Sequence, residues 1–175
     1  MKKSFICILI LLLCMSFAIM AVTPENASLK LRGSVPVENV KISMIDENGM
    51  ELNDTNGEIA FVFSAGTPES VSHTISMRYS ANLPASARCE ISFELSDLVY
   101  DQNSKIKTSM ELFSSDSKYV TVDDDATSLL VTFLKGISTD RELASITITA
   151  TKGTSSMLPT GEYEGTLVIK YTSAS

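Results

Sequence analysis

From position 27 onward, apolar residues recur at every second position in run after run, and Gly, Pro, Asn and Asp separate the runs. A period of two puts successive side chains on opposite faces of an extended chain, so each run reads as a strand with one face in a core. Ala27, Leu29 and Leu31 alternate ahead of Gly33, and Val40, Ile42 and Met44 lead into the turn residues Asp46 to Gly49. The cluster Asn53-Asp54-Thr55-Asn56-Gly57 marks a second turn, after which Ile59, Phe61 and Phe63 alternate up to Gly66-Thr67-Pro68. Val71, His73, Ile75, Met77 and Tyr79 form the next run, then Cys89, Ile91, Phe93 and Leu95, then Ile106, Thr108, Met110 and Leu112. Val120 and Val122 enter the acidic turn Asp123-Asp124-Asp125, and Thr127 to Leu134 is apolar on both faces. Ala144, Ile146, Ile148 and Ala150 precede a final strand that sets Tyr163, Leu167, Ile169 and Tyr171 on one face. The pattern predicts nine or ten strands. A sustained 3.6-residue period is missing, and Ile137 to Leu143 offers at best one helical turn. Many short strands bounded by turn residues predict an all-β, antiparallel immunoglobulin-like β-sandwich, with a barrel as the alternative.

The N-terminus is of another kind. Lys2 and Lys3 precede an apolar run from Phe5 to about Phe17, followed by the small residues Ala18 and Ala21. A run of roughly a dozen residues is too short to span a bilayer, which takes about 20, so residues 1–21 read as a cleavable signal peptide. The protein is therefore expected to be exported, to a periplasm, a surface fibre or the medium, with no membrane insertion once the signal is gone. Acylation at Cys14 is the alternative, although Leu13 stands where such motifs carry a small residue. Residues 22–35 are expected to form an N-terminal extension and 36–175 one sandwich domain, incomplete if that extension serves another subunit.

Removing the signal leaves twelve Lys/Arg against twenty-one Asp/Glu, a net charge of about −9. Such a surface repels nucleic acid and anionic lipid. It also leaves Cys89 as the last of three cysteines, so no intramolecular disulfide can form. Cys89 reads as a small buried hydrophobe, the other use being an intermolecular disulfide.

The catalytic inventory is thin. His73 is the single histidine and lies on the apolar face of its strand, so a Ser-His-Asp or Cys-His site lacks its base and a His/Cys metal site its ligands. Asp123, Asp124 and Asp125 point in different directions in an extended loop and lack the spacing of a calcium loop, so they read as a turn. Sugar-cleaving clefts use aromatic platforms, whereas this chain has no Trp. The residues give no catalytic site, no metal and no cofactor. Met44, Met77 and Met110 read as core filler.

The segment Leu158-Pro159-Thr160-Gly161-Glu162-Tyr163-Glu164-Gly165-Thr166-Leu167-Val168-Ile169-Lys170-Tyr171 resembles the ending of bacterial fimbrial (pilin) subunits and of spore-coat-U-type secreted proteins. The stretch Arg141 to Thr151 resembles the strand that precedes that ending, so the likeness covers about the last 35 residues. In chaperone–usher fimbriae the subunit lacks one strand, and the N-terminal extension of the next subunit fills the gap by donor-strand exchange. The resemblance implies a non-enzymatic fimbrial subunit involved in cell adhesion. Its implied partners are other copies or related fibre subunits, and a periplasmic chaperone. It implies Leu29, Leu31 and Gly33 as donor-strand residues, and Tyr163, Leu167, Ile169 and Tyr171 as the wall of the acceptor groove. The alternative is a self-complete periplasmic or cell-surface binding module, chaperone-like or a lipoprotein domain, in which the N-terminal strand pairs at home. In that module Leu29 and Leu31 are buried against their own chain; in a free donor they project outward.

Overall fold

The computed structural model describes residues 26–33, 39–52, 57–64, 68–153, 158–159 and 161–174. The signal segment 1–21, Cys14 and the turn residues Asn53 to Asn56 lie outside them. Twelve strands follow in chain order: β1 (Asn26–Gly33), β2 (Val40–Ile45), β3 (Glu51–Leu52), β4 (Glu58–Val62), β5 (Glu69–Leu83), β6 (Ala87–Leu95), β7 (Leu98–Val99), β8 (Lys105–Ser114), β9 (Val120–Val122), β10 (Ser128–Phe133), β11 (Gly136–Lys152) and β12 (Glu162–Ala174). The described residues contain no helix, and the all-β sandwich expected from the alternation is what the chain forms.

One layer runs β3-β2-β5-β11-β8, the other β4-β1-β12-β6-β10-β9. The two-residue β7 pairs with β8 on one side and β12 on the other, so it hinges the two layers along one side. Across the interior, Phe61 of β4 meets His73 of β5 edge-on at 5.0 Å, and Tyr79 of β5 meets Phe133 of β10 at 5.3 Å. The core follows the period of two. Ile146, Ile148 and Ala150 of β11 point inward and are fully buried, while Thr147 and Thr149 between them face outward.

The turns rest on one repeated device, an aspartate carboxylate that accepts N–H groups two to five residues ahead. Asp46 accepts from Asn48 and Met50, Asp101 from Asn103 and Ser104, and Asp123 from Thr127 and Ser128. These bonds hold the three carboxyls below the ordinary aspartate range. Both Asp123 oxygens are engaged, since Oδ2 also accepts from the Thr127 hydroxyl at 3.0 Å, which accounts for the acidic run as a turn.

Two expectations need correction. The strands number twelve among the described residues rather than nine or ten, the additions being pieces as short as β3 and β7, where two residues carry no period. Ile137 to Leu143 is strand rather than a helical turn, because β11 is continuous from Gly136 to Lys152. Register shifts between Ser138 and Arg141 and between Glu142 and Ala144 hide its parity. Within that stretch Asp140 has a φ of 47°, and its carboxylate takes the Arg78 Nε–H at 2.7 Å.

Candidate interaction site

β1 lies between β12 and β4, parallel to the first and antiparallel to the second. Among the described residues the β1–β12 pairing is the one parallel pairing, all others being antiparallel. The same alternation that makes it a strand sends Ala27, Leu29 and Leu31 into the core at 3%, 0% and 7% exposure. Ser28 and Lys30 face outward, where the Lys30 ammonium pairs with Glu164 of β12 at 3.2 Å.

The donor and acceptor residues named from sequence meet within one chain. Ala27 pairs with Tyr163, Leu29 with Gly165, Leu31 with Leu167 and Gly33 with Ile169. Tyr163 and Leu167 are fully buried and Ile169 nearly so. Tyr171 lies beyond the end of β1, opposite Ile91 of β6, and burial pushes its hydroxyl pKa up. The Tyr163 hydroxyl, also pushed up by burial, donates to the Pro159 carbonyl at 3.2 Å and ties the turn before β12 to the core.

The sequence reading missed the second wall. Ile59 and Phe61 of β4 pair with Leu29 and Ala27 and close the groove from the other side. Their alternation was visible, but a period of two does not say which strands are neighbours. It also missed the notch at Gly165. A Cβ there would sit 3.0 Å from Leu98 Cδ2, 3.1 Å from the Asp97 carbonyl oxygen and 3.2 Å from Ser96 Oγ.

No other cluster suggests chemistry. His73 Nδ1 lies 2.9 Å from a Glu47 carboxylate oxygen, with Phe61 against the ring, so the histidine serves a surface hydrogen bond and an aromatic contact. Cys89 is 1% exposed and burial pushes its thiol pKa up, as a small hydrophobe would require. Among the described residues, no three His, Cys, Asp or Glu side chains are gathered to hold a metal, and no helix is long and apolar enough to cross a membrane. Comparison with protein-family models gives no match, and neither does comparison with the curated proteins.

Proposed function

We propose that this protein is a non-enzymatic structural subunit of a surface fibre, exported by its N-terminal signal and assembled by exchanging β1 between copies. The observation that carries the reading is the place of β1, the first described strand and, among the described residues, the only one that bridges β4 and β12. Lifting it out would open a groove lined by Ile59, Phe61, Tyr163, Leu167 and Ile169. Two leucines buried at roughly 1.5–3 kcal/mol each make that groove costly to leave empty. An identical β1 from a neighbour satisfies it equally well, which is the logic of strand addition and domain swapping. The five residues 34–38 between β1 and the residue before β2 extend at most about 20 Å from Gly33 to Asn39, so the receiving copy must dock close by.

The burial of Leu29 and Leu31 against their own chain favours a second reading, a self-complete surface or periplasmic binding module. A disulfide staple separates the two. Ser28 and Glu164 are direct partners in the register, so a Ser28→Cys/Glu164→Cys pair locks β1 at home when oxidised. On warming at high concentration, the reduced protein should form oligomers by light scattering and the oxidised protein should stay monomeric. A chain that remains monomeric in both states, or oligomerises equally in both, removes the exchange reading. As a further check, a peptide of residues 26–33 should restore folding to a chain that lacks them.

A further inference from the structure

Among the described residues β4 is paired on one side only. The bond from the Leu31 N–H to the Gly57 carbonyl, with the register that follows it, turns the backbone groups of Gly57, Ile59 and Phe61 toward β1. Alternation in an antiparallel ladder then turns the N–H and C=O groups of Glu58, Ala60 and Val62 the opposite way. Among the described residues β1 is the only strand that pairs with β4, so these groups form an open edge. Natural edges are blunted by Pro, Lys or a bulge, and β4 carries none of them over Glu-Ile-Ala-Phe-Val.

Two clefts adjoin β4, one spanning β4, β1 and β12 and the other opening on the side of β3 and β5. One of about 450 Å³ is lined by Ser28, Lys30, Glu58, Ala60, Glu162 and Glu164. The other, of about 270 Å³, opens between the layers, with Leu52, Ile59 and Ile75 among its apolar lining and Glu47, Glu58 and His73 at its polar side. Glu58 belongs to both. Its carboxylate has no ion-pair partner among the described residues, whereas Glu164 pairs with Lys30 and Glu47 hydrogen-bonds to His73. Both clefts are thus acidic, and one has an apolar floor.

We propose that the free edge of β4 docks an extended peptide segment of a partner protein in which basic and apolar residues alternate. Its backbone pairs with the outward groups of Glu58, Ala60 and Val62. Successive side chains enter the two clefts in turn, and a lysine or arginine lays its aliphatic stem on Ile59 and Ile75 with its charge at Glu58. A second copy of this chain is the poorer occupant, because a formal net charge of −7 and two acidic clefts would oppose their own likeness. The open backbone edge lies on the far side of β4 from β1, but the larger cleft is built partly from Ser28 and Lys30, so the site needs a β1 strand in place, from its own chain or from another copy.

The test is amide hydrogen exchange and NMR titration of the protein with acetyl-Val-Lys-Val-Lys-Val-amide, and with the same peptide carrying Glu in place of Lys. The basic peptide should slow exchange at Glu58, Ala60 and Val62, and the acidic one should not. Ala60→Pro removes an outward N–H that β1 does not use, and Glu58→Lys reverses the shared charge. Each should weaken binding by about tenfold or more and leave exchange at Leu29 and Leu31 unchanged. If Ala60→Pro fails to fold, Glu58→Lys decides alone. Protection absent from β4, equal binding of the acidic peptide, or wild-type binding by Glu58→Lys overturns the proposal. So does protection of these amides that depends on protein concentration alone, which would give the edge to a second copy.

Discussion

Leu29 of β1 lies directly across from Gly165 of β12, and each is fitted to what surrounds it. Leu29 is completely buried, and the space a side chain would take at Gly165 is already filled by Leu98, Asp97 and Ser96. Leu29→Ala should therefore cost about 2–5 kcal/mol, the range for a leucine removed from a core. Gly165→Ala, which forces a methyl against a backbone oxygen, should cost about 1–3 kcal/mol. Urea denaturation reads both, and Lys30→Ala on the exposed face of the same strand should change stability by less than about 0.5 kcal/mol. A Leu29→Ala cost near zero would mean that β1 is not part of the folded core.

Lys152 is 2% exposed at the end of β11. Its ammonium donates to the Ser64 carbonyl and lies 5.7 Å from the centre of the Phe63 ring. An ionic group in such a place is weak evidence for stability, since an apolar side chain of similar length fills the space without the desolvation cost. Lys152→Met should lose less stability than Lys152→Ala in thermal or urea melts. The reverse order would show that the charge itself is needed.

The carboxyls of Asp46, Asp101 and Asp123 accept backbone N–H groups, from Met50, Asn103 and Ser128 first of all, and Asp140 is held low chiefly by the Arg78 guanidinium. A carboxyl depressed in the folded state adds stability that is fully present above its unfolded pKa and is lost as the pH falls through its folded value. The window lies below about pH 4. Carboxyl-carbon NMR should place all four titrations below that of an ordinary aspartate. Asp123→Ala should flatten part of the acid dependence of the urea midpoint, and an ordinary titration at Asp123 would sink this account of the turn.

The faces of β5, β8, β12 and the second half of β11 were legible because Ile75 and Met77, Ile106 and Leu112, Ile146 and Ile148, and Tyr163 and Leu167 keep an unbroken period. The first half of β11 was not, since its register shifts leave Ile137 78% exposed while Leu143 and Ala144, adjacent in sequence, are both buried. The candidate groove was half legible. Leu29, Leu31, Tyr163 and Leu167 announce themselves by alternation, whereas Ile59 and Phe61 became its other wall only through topology. The packing role of Gly165 carried no signal of its own, because it is set by Leu98 of β7 and by Ser96 and Asp97 in the connection before it.

The parallel alignment of β1 with β12 also bears on time. It joins the first described strand to the last, the longest chain closure among the described residues, so its entropy cost comes before any local pairing rewards it. We expect the β5, β8 and β11 strands to assemble first and β1 to dock late, so that Leu29→Ala speeds unfolding and leaves the refolding rate nearly unchanged. A refolding rate that falls in step with the lost stability would place β1 in the nucleus instead. With late docking, each molecule passes through an interval with its sheets formed and its N-terminal strand loose. If β1 is exchanged between copies as proposed, that interval is when one copy's strand would reach another's groove, and the choice between a lone molecule and a chain of them would be set by kinetics as much as by the depth of either minimum.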